Sequence, residues 1–207
     1  GYEEKGLTHE HPKRIWWCWL QGIDKAPKIV LACLNSLKWH LPDYEITVVD
    51  NTNYGTFVEL PEHIRTKWQK GQIPAALFSD ILRLELLVKY GGIWIDSTVL
   101  CTGFKEGTPS EDYKKLLDAD LFLFQYTLPE SKQFGGIGNW FISAHSNNEV
   151  LMALRDVLYA YWRDYDCTID YYIFHLMFAE IVRQCPDVFE RMPYTYAGNS
   201  LVLLHHW

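Results

Sequence analysis

Three charged residues sit where charge is least expected. Asp80 and Arg83 lie three positions apart in residues 75–90, AALFSDILRLELLVKY, a stretch that is otherwise almost wholly apolar. That spacing puts both on one helical face, and a helix apolar nearly all round is buried on most of its sides. A buried acid and base need a stated use, because removing charge from water is costly even for a pair. From spacing alone, a local ion pair and a functional pair carry equal weight. Asp96 follows a Gly91–Gly92 break and interrupts a strand-like run of Ile93, Trp94, Ile95, Val99 and Leu100. Acids are depleted in strands, and Ser97 and Thr98 add two more oxygens beside this one. Hard cations such as Mg2+ and Mn2+ take oxygen ligands, commonly one or two carboxylates plus substrate phosphates. The plain alternative is that Asp96 caps the turn that follows it.

The surrounding elements must bring these groups together. Residues 13–20 (KRIWWCWL), between Pro12 and Gly22, read as a buried first strand. Pro27 suits the first turn of a helix reaching His40, and residues 45–49 (EITVV) form a second strand ending at Asp50. Such a strand–helix–strand unit gives parallel strands. Short helices are expected over 54–59 and 61–70, and a long one over 74–90, stopped by Gly91–Gly92. Strands follow over 93–99, 121–126 and 139–143, with a loop over 100–110, a charged helix over 111–119 and a turn over 135–138. Helices over 149–165 and 169–184 come next, the latter stopped by Pro186, and 188–196 reads as irregular. The pattern predicts an α/β fold, a mixed sheet flanked by helices with a helical C-terminal part. It predicts one domain over 1–207, with 1–12 a flexible lead-in and an apolar end at 201–207 that stops in mid-element, as a truncated C-terminus would.

In open α/β folds, ligands sit at the carboxyl ends of the strands. That rule nominates Trp19, Gln21 and Asp50 beside Asp96, and alternation places Trp17 and Trp19 on one face and Trp16 on the other. Composition bounds the rest. The 207 residues carry a formal charge of -7, which argues against a nucleic-acid partner, since those bind through basic faces. Five scattered cysteines without a C-x-x-C pattern form neither a disulfide framework nor a zinc site, and they set the expectation of a cytoplasmic protein. No apolar run approaches the roughly 20 residues of a membrane span.

The runs Phe78–Arg83 (FSDILR) and Tyr90–Thr98 (YGGIWIDST), with the opening PKRIWWCW and the later NWFIS at 139–143, carry a family resemblance. They resemble glycosyltransferases of the GT-A fold with a DxD-type motif, in particular the group of Och1-type mannosyltransferases (family 32) and capsular polysaccharide synthesis proteins. The resemblance implies a Rossmann-type GT-A architecture and a retaining enzyme that moves a hexosyl unit from a nucleotide-diphosphate sugar. It implies that Asp80 and Arg83 hold the donor sugar hydroxyls and diphosphate, and that Asp96 meets the donor ribose and a Mn2+ or Mg2+ ion. Thr98 stands at the family's second acid, so Asp96 and Thr98 are the implied metal pair, with less negative charge than two carboxylates supply. The family's C-terminal His-Lys motif has no counterpart before Trp207.

The catalytic candidates are therefore Asp80, Arg83, Asp96 and Asp170, the last with Asn139 on the expected acceptor side. Donor-binding candidates are Trp19, Gln21, Asp50, Asp80, Arg83, Asp96, Thr98 and Asn139. The implied acceptor is a saccharide or lipid-linked saccharide in capsular or other surface polysaccharide synthesis, with peripheral association at the inner face of the membrane. Two other readings stand beside it: a nucleotide-sugar hydrolase, and a non-catalytic carbohydrate- or nucleotide-sugar-binding protein favoured by the aromatic content. A nucleotidyltransferase would want a Gly-rich, basic phosphate loop after the first strand, and residues 21–26 offer only Gly22 and Lys25.

Overall fold

The computed structural model describes residues 9–103, 116–126 and 136–197. The expected helix over 111–119 falls mostly outside these residues, and the apolar end over 201–207 wholly so. Five strands form one sheet: β1 (Arg14–Cys18), β2 (Glu45–Val49), β3 (Gly92–Ile95), β4 (Leu121–Gln125) and β5 (Ile137–Ala144), in the order β2-β1-β3-β5-β4. β1 runs parallel to both β2 and β3, whereas β5 is antiparallel to β3 and to β4. The βαβ expectation holds, with α1 (Lys28–His40) as the crossover between β1 and β2. The sheet is mixed and flanked by helices, as the sequence predicts.

Period-two alternation along β1 divides the core. Trp16 faces one apolar layer with Phe78, Leu82, Trp94, Trp162 and Phe174. Ile15 and Trp17 face the other, with Leu34 and Leu37 of α1, Ile93 and Ile95. Trp19 packs on the Trp17 side, as alternation requires. On the Trp16 side, α4 (Ala75–Tyr90) packs against α5 (Glu149–Asp164), and α5 against α6 (Ile173–Gln184). The two short helices α2 (Tyr54–Phe57) and α3 (Glu62–Gln69) precede α4. Ten of the residues of α4 are buried, Asp80 and Arg83 among them, so a helix apolar on nearly all sides is indeed enclosed on nearly all sides.

Four expectations need correction. The strand expected over 93–99 ends at Ile95, because the Val99 N–H donates to the Asp96 carbonyl at 3.0 Å and closes a turn. Asp96 therefore ends the strand instead of interrupting it. β5 begins at Ile137, so part of the expected glycine turn is strand. The helix expected from 169 starts at Ile173, since Asp170 Oδ1 accepts the Tyr172 N–H at 2.7 Å and holds a turn there. Residues 188–196 are not irregular throughout: α7 (Pro186–Arg191) occupies the first part, with Pro186 at its start, where a missing N–H and fixed φ cost nothing.

Candidate functional site

Asp80 and Arg83 project from α4, Asp96 from the end of β3, and Asn139 from the first half of β5. The sheet order places β5 directly beside β3, which is how Asn139 reaches the other three. Arg83 Nη2 lies 3.1 Å from Asp80 Oδ1 and 3.2 Å from Asp96 Oδ1, so one cation is divided between two carboxylates. Arg83 Nη1 donates to the Asn139 carbonyl, and its Nε and Nη2 reach the Ser79 carbonyl and Oγ at 3.4 and 3.3 Å. Asn139 Nδ2 donates to Asp80 Oδ1 at 2.9 Å. Trp94 Nε1 donates to Asp96 Oδ1 at 2.7 Å, and the Asp96 N–H to the Trp140 carbonyl at 2.8 Å.

The guanidinium also stacks over the Trp94 ring, Cζ 4.9 Å from its centroid, and lies 5.9 Å from that of Phe174. Such contacts suit a desolvated arginine, which is weakly hydrated and planar. Arg83 is 3% exposed and Asp80 6%, whereas the Asp96 side chain keeps 32% of its surface open. Burial raises the Asp80 carboxyl to about 6; Arg83 pulls it down and Asp96 pushes it up. Cys18, at the end of β1, is pushed up to about 12 by burial, with Arg83 opposing that and Asp96 and Asp50 adding to it. It is a packing thiol, not a nucleophile.

The remaining candidates lie around this core with looser ties. Asp50 ends β2, and its Oδ1 accepts the Thr52 N–H and hydroxyl at 2.7 and 2.6 Å and the Asn53 N–H at 3.1 Å. The Thr52 bonds first, then that from Asn53, hold its pKa down. Gly22, at φ 87°, brings its backbone past the second Asp50 oxygen, Oδ2. Trp19 is half-buried, with its indole N–H enclosed and without a hydrogen-bond partner; Gln21 is exposed. Thr98 is exposed in the turn after Asp96. Asp170 is exposed on the loop before α6, where it caps the Tyr172 N–H, and it is not joined to the Asp80–Arg83–Asp96 cluster.

Among the described residues, no three His, Cys, Asp or Glu side chains gather closely enough to hold a metal ion. Asp96 Oδ1 is engaged by Trp94 and Arg83, which leaves Oδ2 with the Thr98 hydroxyl nearby in sequence. That donor set fits a divalent cation whose other ligands come from a diphosphate, not one caged by protein alone. Cavities of about 410 Å³, beneath Asp120, Asn148 and Arg191, and about 520 Å³, beside His63, Lys67 and Asp166, lie apart from the cluster.

Residue reasoning missed Ser79, Trp94, Phe174 and His175. Trp94 was within reach, because its place two residues before Asp96 puts both on one face of β3. Phe174 and His175 carry no signal, since only the packing of α6 brings Phe174 to Arg83, with His175 in turn against the Phe174 ring.

A family model described as "Capsular polysaccharide synthesis protein" matches residues 2–206. Over 106 residues, 44% of this chain, the sequence is 30% identical to the O-glycosyltransferase braB of Annulohypoxylon truncatum, and the match spans 25% of that relative's length. Among solved structures, the PaToxG glycosyltransferase aligns with a TM-score of 0.56 at 15% identity, over 84% of this chain and 68% of its own. A transferase studied as a cysteine-substituted mutant aligns with a TM-score of 0.50 at 11% identity, over 95% and 98%. At such identities the likeness is one of fold.

Proposed function

The chain belongs to the capsular polysaccharide synthesis protein family, and from that premise we propose that it is a glycosyltransferase, moving a hexosyl unit from a nucleotide-diphosphate sugar to a saccharide hydroxyl. The observation that carries the reading is the buried Arg83 guanidinium at the carboxyl end of β3, divided between Asp80 and Asp96. A cluster this deeply built, braced by Asn139, Ser79 and Trp94, holds two carboxylates in fixed geometry at the edge where α/β folds bind ligands. The O-glycosyltransferase relative and the glycosyltransferase of like fold support the same class.

In this reading Asp96 and Thr98 face the diphosphate and hold Mn2+ or Mg2+, which would neutralise charge on the departing group. Asp80 and Asn139 receive donor sugar hydroxyls, and Trp19 and Asp50 flank the base, with Gln21 at the rim. Arg83, nearly closed to solvent, fixes both carboxylates and lends positive potential to the diphosphate through a low-dielectric path, where preorganised charge acts most strongly. The acceptor oxygen bonds to the anomeric carbon as the bond from that carbon to the phosphate oxygen breaks. The leaving phosphate takes the acceptor's proton on the same face, so configuration is retained without a protein nucleophile. The acceptor would belong to a capsular or related surface polysaccharide, free or lipid-linked, and the enzyme would then work in the cytoplasm at the membrane's inner face.

Asp96→Asn keeps size and removes charge. Assayed with a nucleotide-sugar panel, Mn2+ and oligosaccharide acceptors, it should lose transfer by about 100-fold or more, the scale of one electrostatic group at a reacting centre. Unchanged transfer and donor binding would reject the reading. Nucleotide release that ignores the acceptor would mark a hydrolase. Donor binding without turnover would mark a binding protein, the reading that the neutral Thr98 favours.

A further inference from the structure

The loop between α5 and α6 exposes an unusual amount of apolar ring. Ile169 is 74% exposed, Tyr171 65% and Tyr172 58%. These side chains are held out by a built loop. Tyr161 Oη donates to the Cys167 carbonyl at 2.6 Å and accepts the Ile169 N–H at 3.0 Å. Asp170 Oδ1 fixes the Tyr172 N–H, and Lys67 Nζ donates to the Tyr165 carbonyl at 2.7 Å. Two touching aromatic rings held out of the core in this way offer a ready binding face.

The patch is also wired to the candidate donor site by an unbroken run of ring contacts. The Tyr171 and Tyr172 rings meet edge to face at 5.2 Å, Tyr172 meets His175 at 5.4 Å, and His175 meets Phe174 at 5.8 Å. Phe174 in turn lies under the Arg83 guanidinium. Midway along that run, His175 Nδ1 is buried and has no hydrogen-bond partner. A polar atom enclosed without a partner is uncommon in a native structure and calls for a ligand or another explanation. Burial, with the Arg83 charge adding to it, lowers the His175 pKa to about 4, so at neutral pH the imidazole is uncharged, one nitrogen donating and the other accepting.

Resting on the glycosyltransferase reading above, we propose that Tyr171, Tyr172 and His175 form the acceptor-sugar subsite. Tyrosine faces suit the polarised C–H face of a pyranose, and a neutral imidazole suits a hydroxyl, which both donates and accepts. Anionic partners are poorly served, because exposed Asp170 stands between Ile169 and Tyr171, and the patch commits instead to a neutral saccharide. His175 and Phe174 stand between the two tyrosines and the guanidinium that organises the donor side. Asp170, expected as a catalytic candidate on the acceptor side, is a positioning residue in this proposal: its carboxylate sets the turn that presents Tyr172.

Methyl glycosides of glucose, galactose and mannose serve as probes, with binding to the full chain read by saturation-transfer NMR. UDP and GDP with Mn2+, read by calorimetry, report the donor side separately. At least one glycoside should bind, and Tyr171→Ala, Tyr172→Ala and His175→Ala should each weaken it about fivefold or more, with Tyr172→Phe close to the parent because the ring remains. Nucleotide affinity should stay within about twofold in the two tyrosine variants, which also shows that they fold. Glycoside binding that ignores all three alanine substitutions overturns the subsite while leaving the transferase reading intact. Glycoside binding that depends on the patch, in a chain that binds neither nucleotide, supports a sugar site and sinks the transferase reading instead. No glycoside binding by the parent chain overturns the proposal. So does tyrosine-dependent sedimentation with phosphatidylglycerol vesicles in place of glycoside binding, which would make the patch a membrane face.

Discussion

Burial pushes the Asp80 carboxyl up to about 6, against the pull of Arg83 and with the help of Asp96, because two carboxylates draw on one cation where little water reaches. A carboxyl whose pKa is raised on folding favours the fold when protonated. Its contribution is fully present below the unfolded value of 3.8 and is lost as pH rises through about 6, at up to about 1.4 kcal/mol per pH unit across that window. Asp80→Asn should therefore remove a falling contribution to the urea midpoint between about pH 4 and pH 6, so that the variant's midpoint rises relative to the parent's across that window. His175, lowered to about 4 by burial, adds the same opposite slope to both chains. The substitution should also weaken donor binding. A variant that follows the parent's slope would show that Asp80 ionises as readily in the fold as outside it. Glu180 touches only the lower edge of that window: its bonds from Arg183 and then Gln184 hold it down to about 2, so its contribution is lost as pH falls from its ordinary 4.5 toward 2, equally in both chains. At this scale the sequence was readable where a residue broke its surroundings. Asp80 and Arg83 stood out in an apolar helix, and Asp96 after an apolar strand. Trp94, which donates to Asp96, did not stand out, because a tryptophan in a strand looks like core and here is both core and partner.

Gly91 and Gly92 form the joint that hands α4 to β3, and so fix where Asp80 and Arg83 stand relative to Asp96. Gly91 adopts φ 68°, and a Cβ there would lie 2.8 Å from the Ser146 amide nitrogen and closer still to the Glu10 carbonyl oxygen, both backbone. Its own carbonyl accepts the Trp16 indole N–H at 3.0 Å. Gly91→Ala thus adds left-handed strain to a clash that no side chain can relieve, and should cost about 2 kcal/mol or more, read as a lower urea midpoint at unchanged slope. An unchanged midpoint would mean that the joint is freer than this packing allows. The glycine pair was legible as a helix stop, yet its second role was not, since the Glu10 and Ser146 backbones come from distant parts of the chain. The same limit explains the other misses among elements. β3 ends early because a local turn bond competes at Asp96, and α6 starts late because Asp170 holds a turn. Local side-chain bonds of this kind decide boundaries that hydrophobic period leaves open.

Across the whole molecule, the clustered candidate residues come from α4, from β5 and from the segments just past β1, β2 and β3, with α6 closing over Arg83 through Phe174. None of these elements alone holds a site; the sheet order β2-β1-β3-β5-β4 assembles it. A ligand seated there touches the folded arrangement only, so it must stabilise the chain by mass action. At a hundredfold excess over its dissociation constant, a nucleotide diphosphate with Mn2+ should add about 2.7 kcal/mol. For a chain of this size that is an increase of about 5–10 °C in Tm. Asp96→Asn should keep the ligand-free Tm within a few degrees, because its side chain is one-third open and its Trp94 and Arg83 partners can be met by an amide oxygen. It should nonetheless lose most of the ligand-induced shift. Asn148→Ala offers the contrasting case. It removes the cap that accepts the Val150 and Leu151 N–H groups at the start of α5, and should lower the ligand-free Tm through about 1 kcal/mol of lost stability while keeping the ligand-induced shift whole. If the two variants instead behaved alike, lost stability and lost binding would be one effect. Asp96 would then be a structural residue of the sheet edge, not part of a donor site.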